Sequence, residues 1–261
     1  MPKPHWSDLP PLDAGRFERY FQIASEAGCT SISYDDLASW RDGDAALPSH
    51  PILFDFDHPN KSIRHEVFPL MQEYGFKGTL FVNTAATEKQ GDRRYMTWDE
   101  IGDLVAGGWG IGAHMHHHVG LAYLARKDPS GGLIREEMDT CDAILEERLG
   151  IRPRDFAYTT TTWSEVAEVE VKRRYRSARL WTIGSHIDTD EGKVRFAELA
   201  GIEGEDESDG GPPLAARYIT KDTHPYRLPA MDFEYLVYEY DAFTAYLNGA
   251  DELERIERNE G

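Results

Sequence analysis

The chain has 261 residues, a length that suits one large α/β domain or two small ones and that can bury a full core. Its 47 acidic residues outnumber the 28 basic ones, which gives a formal charge of −19. A surface of this sign repels phosphate backbones and anionic lipid, so the composition argues against a nucleic-acid or membrane partner. No segment approaches the ~20 apolar residues of a membrane span, and the N-terminus lacks a signal-peptide pattern. We therefore expect a cytoplasmic protein.

Before residue 51 the sequence predicts a helix capped by Asp13 and ending at Gly28, a short strand at 32–34 and a helical turn at 36–40. Strands are predicted at 51–57, 78–82, 109–113, 155–158 and 177–181, with helices between them that begin near residues 67, 97, 133 and 166. This alternation predicts a parallel sheet wrapped by helices, and a barrel is its expected closure. We expect an exposed acidic loop at 203–211 and a frayed helix end at 251–261.

The two cysteines, Cys29 and Cys141, lie far apart in the sequence and have no spacing typical of a thiolate metal site or a disulfide framework. We expect both to be buried as small apolar residues.

Candidate chemistry lies where the predicted strands end, because the sites of such barrels lie at the C-terminal ends of their strands. Alternation along the strand at 51–57 places Asp55 and Asp57 on one face, and His58 follows directly. Two carboxylates together at a strand end are costly unless a cation or a proton holds them. Capping of the next turn would explain one such aspartate. The presence of two aspartates together with His58 favours a functional site instead.

Residues 114–118 read His-Met-His-His-His and follow the predicted strand at 109–113. Two histidines four residues apart fall on the same side of a helix or a strand, so His114 and His118 can reach one ion together. A solvated histidine-rich loop is the structural alternative for a pair at this spacing. The glycine-rich strand that leads into the pair favours the chelating interpretation.

These segments together resemble the polysaccharide deacetylase (NodB-homology, carbohydrate esterase family 4) domain. The family's first motif, Thr-Phe-Asp-Asp-Gly, matches residues 55–59, and its second motif, His-Ser/Thr-x-x-His, matches residues 114–118. Residues 17–57, 67–71, 78–82 and 225–229 are also similar to family members. The resemblance implies a distorted (β/α)7 barrel of the NodB-homology type. It also implies one catalytic domain over residues 1–261, with an N-terminal extension at 1–50 and a barrel core at about 51–245.

By the same resemblance the reaction is metal-dependent hydrolysis of an amide C–N bond. Asp57 falls on the family's general base and His58 on its metal-ligand aspartate, so the implied ligands are His58, His114 and His118. Three imidazoles with an open position suit zinc, with nickel, cobalt and manganese as alternatives. If the strand register is off by one residue, Asp57 becomes a ligand and Asp55 is the nearest candidate base.

Three departures from the family pattern bear on the substrate. Met115 stands where the family has Ser or Thr, which removes a hydroxyl that usually supports the loop. Residues 156–162 read Phe-Ala-Tyr-Thr-Thr-Thr-Thr, so the proline, the glycine and any arginine of the third motif are missing. This wall is expected to fit something other than a glycan chain, with Tyr158, Thr159, Thr160 and His117 as candidate substrate contacts.

The family's late Leu-x-His motif, which carries the general acid, is not evident. His224 is a candidate stand-in for that acid and His186 is another, although a structural surface or core histidine is the better explanation of each.

Three functions remain open from the sequence. The first is a cytoplasmic metal-dependent deacylase of a small, modified or sugar-derived N-acyl substrate. The second is a hydrolase of cyclic amides or imides with the same fold, and the third is a barrel that has lost catalysis and serves as a binding or scaffolding protein. Each is compatible with a homo-oligomer.

Overall fold

A computed structural model describes residues 12–89, 92–181 and 184–260. Residues 1–11, on which the expected lack of a leader rests, lie outside this part of the chain. The helices are α1 (Ala14–Glu26), α2 (Tyr34–Asp42), α3 (Phe68–Glu73), α4 (Thr84–Glu88), α5 (Trp98–Ala106), α6 (Leu121–Lys127), α7 (Gly132–Leu149), α8 (Glu165–Arg174), α9 (Phe196–Ala200) and α10 (Tyr240–Glu260). The strands are β1 (Thr30–Ser31), β2 (Pro51–Ile52), β3 (Asp55–Asp57), β4 (Thr79–Val82), β5 (Gly110–Ala113), β6 (Asp155–Ala157), β7 (Thr162–Trp163), β8 (Ser177–Trp181), β9 (His186–Thr189), β10 (Gly192–Arg195) and β11 (Leu228–Ala230).

The main sheet has six parallel strands in the order β11-β8-β6-β5-β4-β3. It curls into a half-barrel with helices on its outer side, which confirms the predicted distorted (β/α) barrel. Strands β3 and β11 are its two edges. Because all six strands are parallel, their C-terminal ends lie along one rim. Residues that directly follow these strands therefore meet at this rim.

The predicted strand at 51–57 is divided between two sheets. Residues 51 and 52 pair in parallel with β1, whereas residues 55–57 pair with β4. The change of partner occurs at residues 53 and 54, where the backbone passes from one sheet to the other. A further small sheet, in the order β10-β9-β7, lies beside the main one and was not predicted.

The two N-terminal helices pack differently, since α1 lies against α3 and α10 whereas α2 lies against the main sheet. Helix α1 begins after Asp13, whose carboxylate accepts a hydrogen bond of 2.8 Å from the backbone N–H of Arg16. The strand predicted at 32–34 is wrong, because Ser33 and Asp36 form a capping box that starts α2 there. From α2, Tyr34 and Leu37 pack against residues of the sheet strands, namely Phe81, Ala157 and Leu228.

One glycine makes this interior possible. Gly112 on β5 is the ladder partner of Phe81 on β4, and a Cβ at this position would lie 2.3 Å from the Phe81 ring. The aromatic ring therefore occupies the space that a side chain on β5 would need, and Tyr34 packs against its far side in an edge-to-face arrangement.

The C-terminal third departs most from the prediction. Helix α10 runs from Tyr240 through the predicted tail to Glu260, and its Phe243 packs on Tyr20 of α1 with ring centroids 5.3 Å apart. Gly249 reads as a helix break in the sequence, but it is needed inside the helix, because a Cβ there would lie 2.4 Å from the Tyr218 hydroxyl. Helices α4, α6 and α9 were also not predicted.

Cys141 is buried as expected, whereas Cys29 is only partly buried. Within the described ranges, no helix combines the length and the apolar composition needed to cross a membrane.

Candidate metal centre

Three histidines converge at the rim of the half-barrel. His58 directly follows β3, His114 directly follows β5, and His118 lies in the loop four residues later. One ring nitrogen from each of the three lies within 4.8 Å of the others. The structure thus brings together the three imidazoles that the sequence proposed as a ligand set.

The backbone brings His114 and His118 together in a way that the sequence argument did not foresee. Residues 114–118 form neither helix nor strand. The chain instead turns back on itself through left-handed residues, with φ of 63° at Met115 and 56° at His118, and His58 is also left-handed with φ of 66°. Non-glycine residues seldom adopt this conformation, and it is concentrated at functional sites.

Hydrogen bonds fix the tautomer of two of the three rings. His114 Nδ1 lies 2.9 Å from the backbone oxygen of Ala157, and His58 Nδ1 lies 2.9 Å from the side-chain oxygen of Asn83. Because a carbonyl oxygen can only accept, each Nδ1 carries the proton and donates it. Nε2 of each ring therefore presents a lone pair, which is the usual arrangement of a histidine that binds a metal.

The donor set fits a divalent ion. His114 Nε2 is buried and has no hydrogen-bond partner among the described residues. Burial lowers the pKa of His114 to about 3, with Asp57 opposing that shift and the neighbouring histidines adding to it. Burial, followed by the nearby His58, lowers the pKa of His118 to about 4. Both imidazoles are thus neutral at pH 7, as metal ligands must be.

A buried arginine holds the two carboxylates of β3. Arg179 on β8 is only 3% exposed, and its Nη2 donates to Asp57 Oδ1 while its Nε lies 3.4 Å from Asp55 Oδ2. Asp55 also accepts a hydrogen bond of 2.7 Å from the Tyr34 hydroxyl. The second oxygen of Asp57 lies 3.9 Å from His114 Nε2 and so faces the histidines.

The two carboxylates respond differently to this environment. Burial acts to raise the pKa of Asp57, but Arg179, together with His114 and His58, outweighs it and lowers the pKa below its ordinary value. Burial raises the pKa of Asp55 to about 6, in spite of Arg179 and the Tyr34 hydrogen bond. Asp57 is therefore the ionised carboxylate of the pair over the wider pH range.

Arg179 and Tyr34 were missed by the sequence analysis. Arg179 carried a signal, because it is a charged residue in the middle of a predicted buried strand, where a long cation is expensive unless it is paired. Its partners are 122 and 124 positions away in sequence, so no local sequence pattern indicates which residues they are. No sequence feature indicated a role for Tyr34, because it fell in a segment predicted as a strand.

The structure places His224, the candidate general acid, apart from the three histidines. His224 precedes β11, and the adjacent Pro225 accepts from the N–H of Ala178 at the beginning of β8. His224 is therefore at the N-terminal edge of the sheet, whereas the three histidines lie at the C-terminal rim. His186 begins β9 in the small side sheet, where it is exposed and its Nδ1 lies 2.9 Å from Ser185 Oγ. Neither position suits a general acid for this site.

The proposed substrate contacts are mostly engaged elsewhere. Tyr158 and Thr159 are fully buried, so neither side chain faces an open cleft. His117 is exposed but is held by Glu137, with Nδ1 and the Glu137 carboxylate 2.7 Å apart. Thr160 is exposed, and its Oγ1 lies 3.4 Å from Thr162 Oγ1. His116 lies outside the group of His58, His114 and His118, with its ring against His117 and its Nδ1 2.8 Å from Thr84 Oγ1.

A cavity of about 1910 Å³ lies between the two edges of the half-barrel. Residues 51–58 line it from one edge and residues 229–234 from the other, so it reaches Asp57 and His58 at the rim. Trp40, Trp181 and Tyr218 contribute aromatic walls.

The fold and the site together define a class of protein, a parallel half-barrel with a three-histidine centre beside a charged aspartate at the C-terminal rim. Comparison with known families shows which family of this class the chain belongs to. The polysaccharide deacetylase family model matches residues 44–178, just over half of the chain, and the chain belongs to this family. No curated protein sequence matches the chain.

Solved structures with the same fold are distant in sequence. The chain is similar to the deacetylase PplD of Streptococcus pyogenes, solved with acetate, at 16% identity and a TM-score of 0.60 over 73% of this chain and 82% of that one. It is similar to BC0361, a polysaccharide deacetylase from Bacillus cereus, at 16% identity and a TM-score of 0.63 over 90% of this chain and 62% of that one. IcaB from Ammonifex degensii gives 19% identity and a TM-score of 0.59, over 66% and 79% of the respective chains. At these identities the likeness establishes the fold.

Proposed function

We propose that this protein is a metal-dependent amide hydrolase that removes the acyl group from an N-acyl substrate. The observation that carries the proposal is the convergence of three ring nitrogens, two of them on buried neutral imidazoles, beside an ionised aspartate at the rim of a deacetylase-family barrel. Family membership supports the reaction class.

In this proposal His58, His114 and His118 hold the ion, and zinc is the metal that three neutral imidazoles suit best. Bound there, a divalent ion supplies a Lewis acid that acidifies water and polarises the amide carbonyl. Asn83 and the Ala157 carbonyl orient two of the rings by accepting their Nδ1 protons. Asp57 is the proposed base, because Arg179 holds one of its oxygens and keeps it ionised while its other oxygen faces the histidines.

Asp57 accepts the proton of the attacking water at Oδ2, the oxygen that Arg179 leaves free. The water oxygen forms the new bond to the acyl carbon, the C–N bond breaks, and the proton on Asp57 is available to the departing nitrogen. Asp57 thus returns to its ionised state, and the products are a carboxylic acid and an amine, which become a carboxylate and an ammonium ion by proton exchange. Within the described parts of the chain, neither His224 nor His186 is placed to supply that proton instead.

The cavity between the edges of the barrel is the proposed site for the rest of the substrate. Its volume exceeds the roughly 300–1,000 Å³ typical of small-ligand pockets, and its aromatic walls suit the faces of a sugar ring or another bulky group on the amine. We propose a small or sugar-derived N-acyl compound as substrate and the cytoplasm as its location.

The test is hydrolysis of a panel of amides by zinc-loaded protein, with Asp57→Asn as the variant and Asp35→Asn, at an exposed residue, as its control. We expect turnover of N-acetyl and N-formyl amides, including N-acetylated sugars, to fall by about 10²–10⁴-fold in Asp57→Asn, the usual worth of a general base, while the bound zinc remains. Turnover confined to ring-closed amides would show a cyclic amide hydrolase instead. Ligand binding without any hydrolysis would show a binding protein.

A further inference from the structure

His118 differs from the other two histidines in what holds its ring. His58 and His114 each donate from Nδ1 to a protein oxygen, whereas the His118 ring makes no hydrogen bond within the described residues. Since no hydrogen bond among the described residues fixes the His118 ring, its position depends on its packing against the His58 and His114 rings and on the backbone that carries it. That backbone is in the left-handed region at His118 itself.

Two threonine hydroxyls hold the backbone that follows His118. Thr159 Oγ1 donates a hydrogen bond of 2.6 Å to the carbonyl oxygen of Val119. Thr162 Oγ1 accepts a hydrogen bond of 2.9 Å from the N–H of Leu121, and its own proton goes to the Thr159 carbonyl, 2.9 Å away. Two hydrogen bonds, Thr159 to Val119 and Leu121 to Thr162, thus join the loop of residues 118–121 to the turn of residues 159–162. The turn lies about 40 positions further along the chain than the loop.

The threonine turn is itself an unusual conformation. Thr160 and Thr161 have φ of 55° and 54°, a region that β-branched residues rarely occupy. The contact with the histidine loop is also close, because a Cβ at Gly120 would lie 2.7 Å from Thr160 Oγ1. Strained backbone of this kind persists only where the surrounding structure determines it, and it points to a constraint that serves the site.

We propose that Thr159 and Thr162 are positioning residues for the metal ligand His118, acting through the backbone of Val119 and Leu121. Met115, inside the histidine loop, is completely buried and brings no hydroxyl to it. The support for that loop comes instead from the neighbouring strand end. The inference rests on the proposed function, because it assumes that His118 binds the ion.

The experiment measures zinc affinity by competition with a chromophoric chelator, together with the rise in unfolding temperature that zinc produces. The variants are Thr159→Val and Thr162→Val, which keep the shape and lose the hydroxyl, and Thr159→Ser and Thr162→Ser, which keep the hydroxyl. Thr223→Val is the matched control, because the Thr223 hydroxyl is also buried and also accepts a backbone N–H, that of Thr220, at 2.8 Å.

We expect each valine variant to bind zinc about 10–100-fold more weakly, the usual cost of losing an outer support of a ligand, while the serine variants and the control bind as the wild type does. The zinc-induced rise in unfolding temperature should shrink in the valine variants, whereas a purely structural role would lower the unfolding temperature with and without zinc equally. Wild-type affinity in both valine variants, or equal loss in valine and serine variants, would overturn the inference alone. A wild type that binds no zinc would overturn the proposed function as well.

Discussion

The two sides of the half-barrel contribute different things to the site. The side of β3 to β5 supplies the ligand candidates, each at or just beyond the end of a strand and two of them within five consecutive residues. The side of β6 to β11 supplies the Ala157 carbonyl, the threonine hydroxyls and Arg179, which hold His114, the loop after His118 and Asp57 at separations of 40 to 122 positions. His58 is the exception, because Asn83, which orients it, follows β4 on the first side. Local sequence thus places the donor atoms, and remote sequence fixes their orientation and charge.

The largest effect is expected from removing a ligand on the first side. His114→Ala should bind zinc more than about 100-fold more weakly than the wild type, because it removes a donor atom itself rather than a group that supports one. His117→Ala, at the exposed histidine held by Glu137, should retain zinc and serves as the control. Elemental analysis and chelator titration of the purified proteins measure both.

The same measurement on His58→Ala and Asp57→Ala tests the register of the first motif. Loss of zinc in His58→Ala and its retention in Asp57→Ala is the expected pattern. The reverse pattern would make Asp57 the ligand and would remove the distinction between the base and the donors.

A smaller effect is expected from removing the cation on the second side. Arg179→Met leaves Asp55 and Asp57 without their shared counter-ion in a buried place, and breaking such a pair costs about 3–5 kcal/mol. Arg154→Met breaks an exposed pair with Asp35 and should change the free energy of unfolding by less than about 1 kcal/mol. Urea unfolding measures both. A loss in Arg179→Met no greater than in Arg154→Met would show that the arginine does not hold the carboxylates.

An effect that depends on pH concerns Asp232, which follows β11 on the second side. Burial raises the pKa of Asp232 to about 7, partly offset by nearby backbone N–H groups, and neither carboxylate oxygen makes a hydrogen bond within the usual distance among the described residues. Because the pKa is higher in the folded state than in the unfolded chain, stability is lost as the pH rises from about 4 through 7. Asp232→Asn should therefore gain stability relative to the wild type by up to about 4 kcal/mol at pH 8, and little at pH 4.

Thermal unfolding at a series of pH values checks this prediction, with Glu239→Gln at an exposed residue as the control. A difference between Asp232→Asn and the wild type that does not change between pH 4 and 8 would contradict it.

Much of the architecture could be predicted because its signals are local. Each of these signals involves residues that are close together in the chain. They are the cap at Asp13, the capping box at Thr97, the apolar spacing of α7 and the alternation of strands and helices. Of helix α10 only the end at 251–261 was predicted, and the start at Tyr240 was not. The division of the 51–57 strand depends on β1, a strand of two residues with no pattern of its own.

The sequence by itself determined the parallel α/β architecture and the candidate pair His114 and His118, because strand ends and histidine spacing are properties of short segments. The family resemblance added His58 to this pair and implied the distorted barrel. Only the tertiary structure decided that His224 lies at the wrong edge of the sheet, that Arg179 pairs with Asp57, and that the threonine turn holds the loop after His118. These contacts join segments that are 40 or more positions apart, or depend on which end of a strand a residue lies. Their energies come from burial and charge, which exist only once the chain has folded around them.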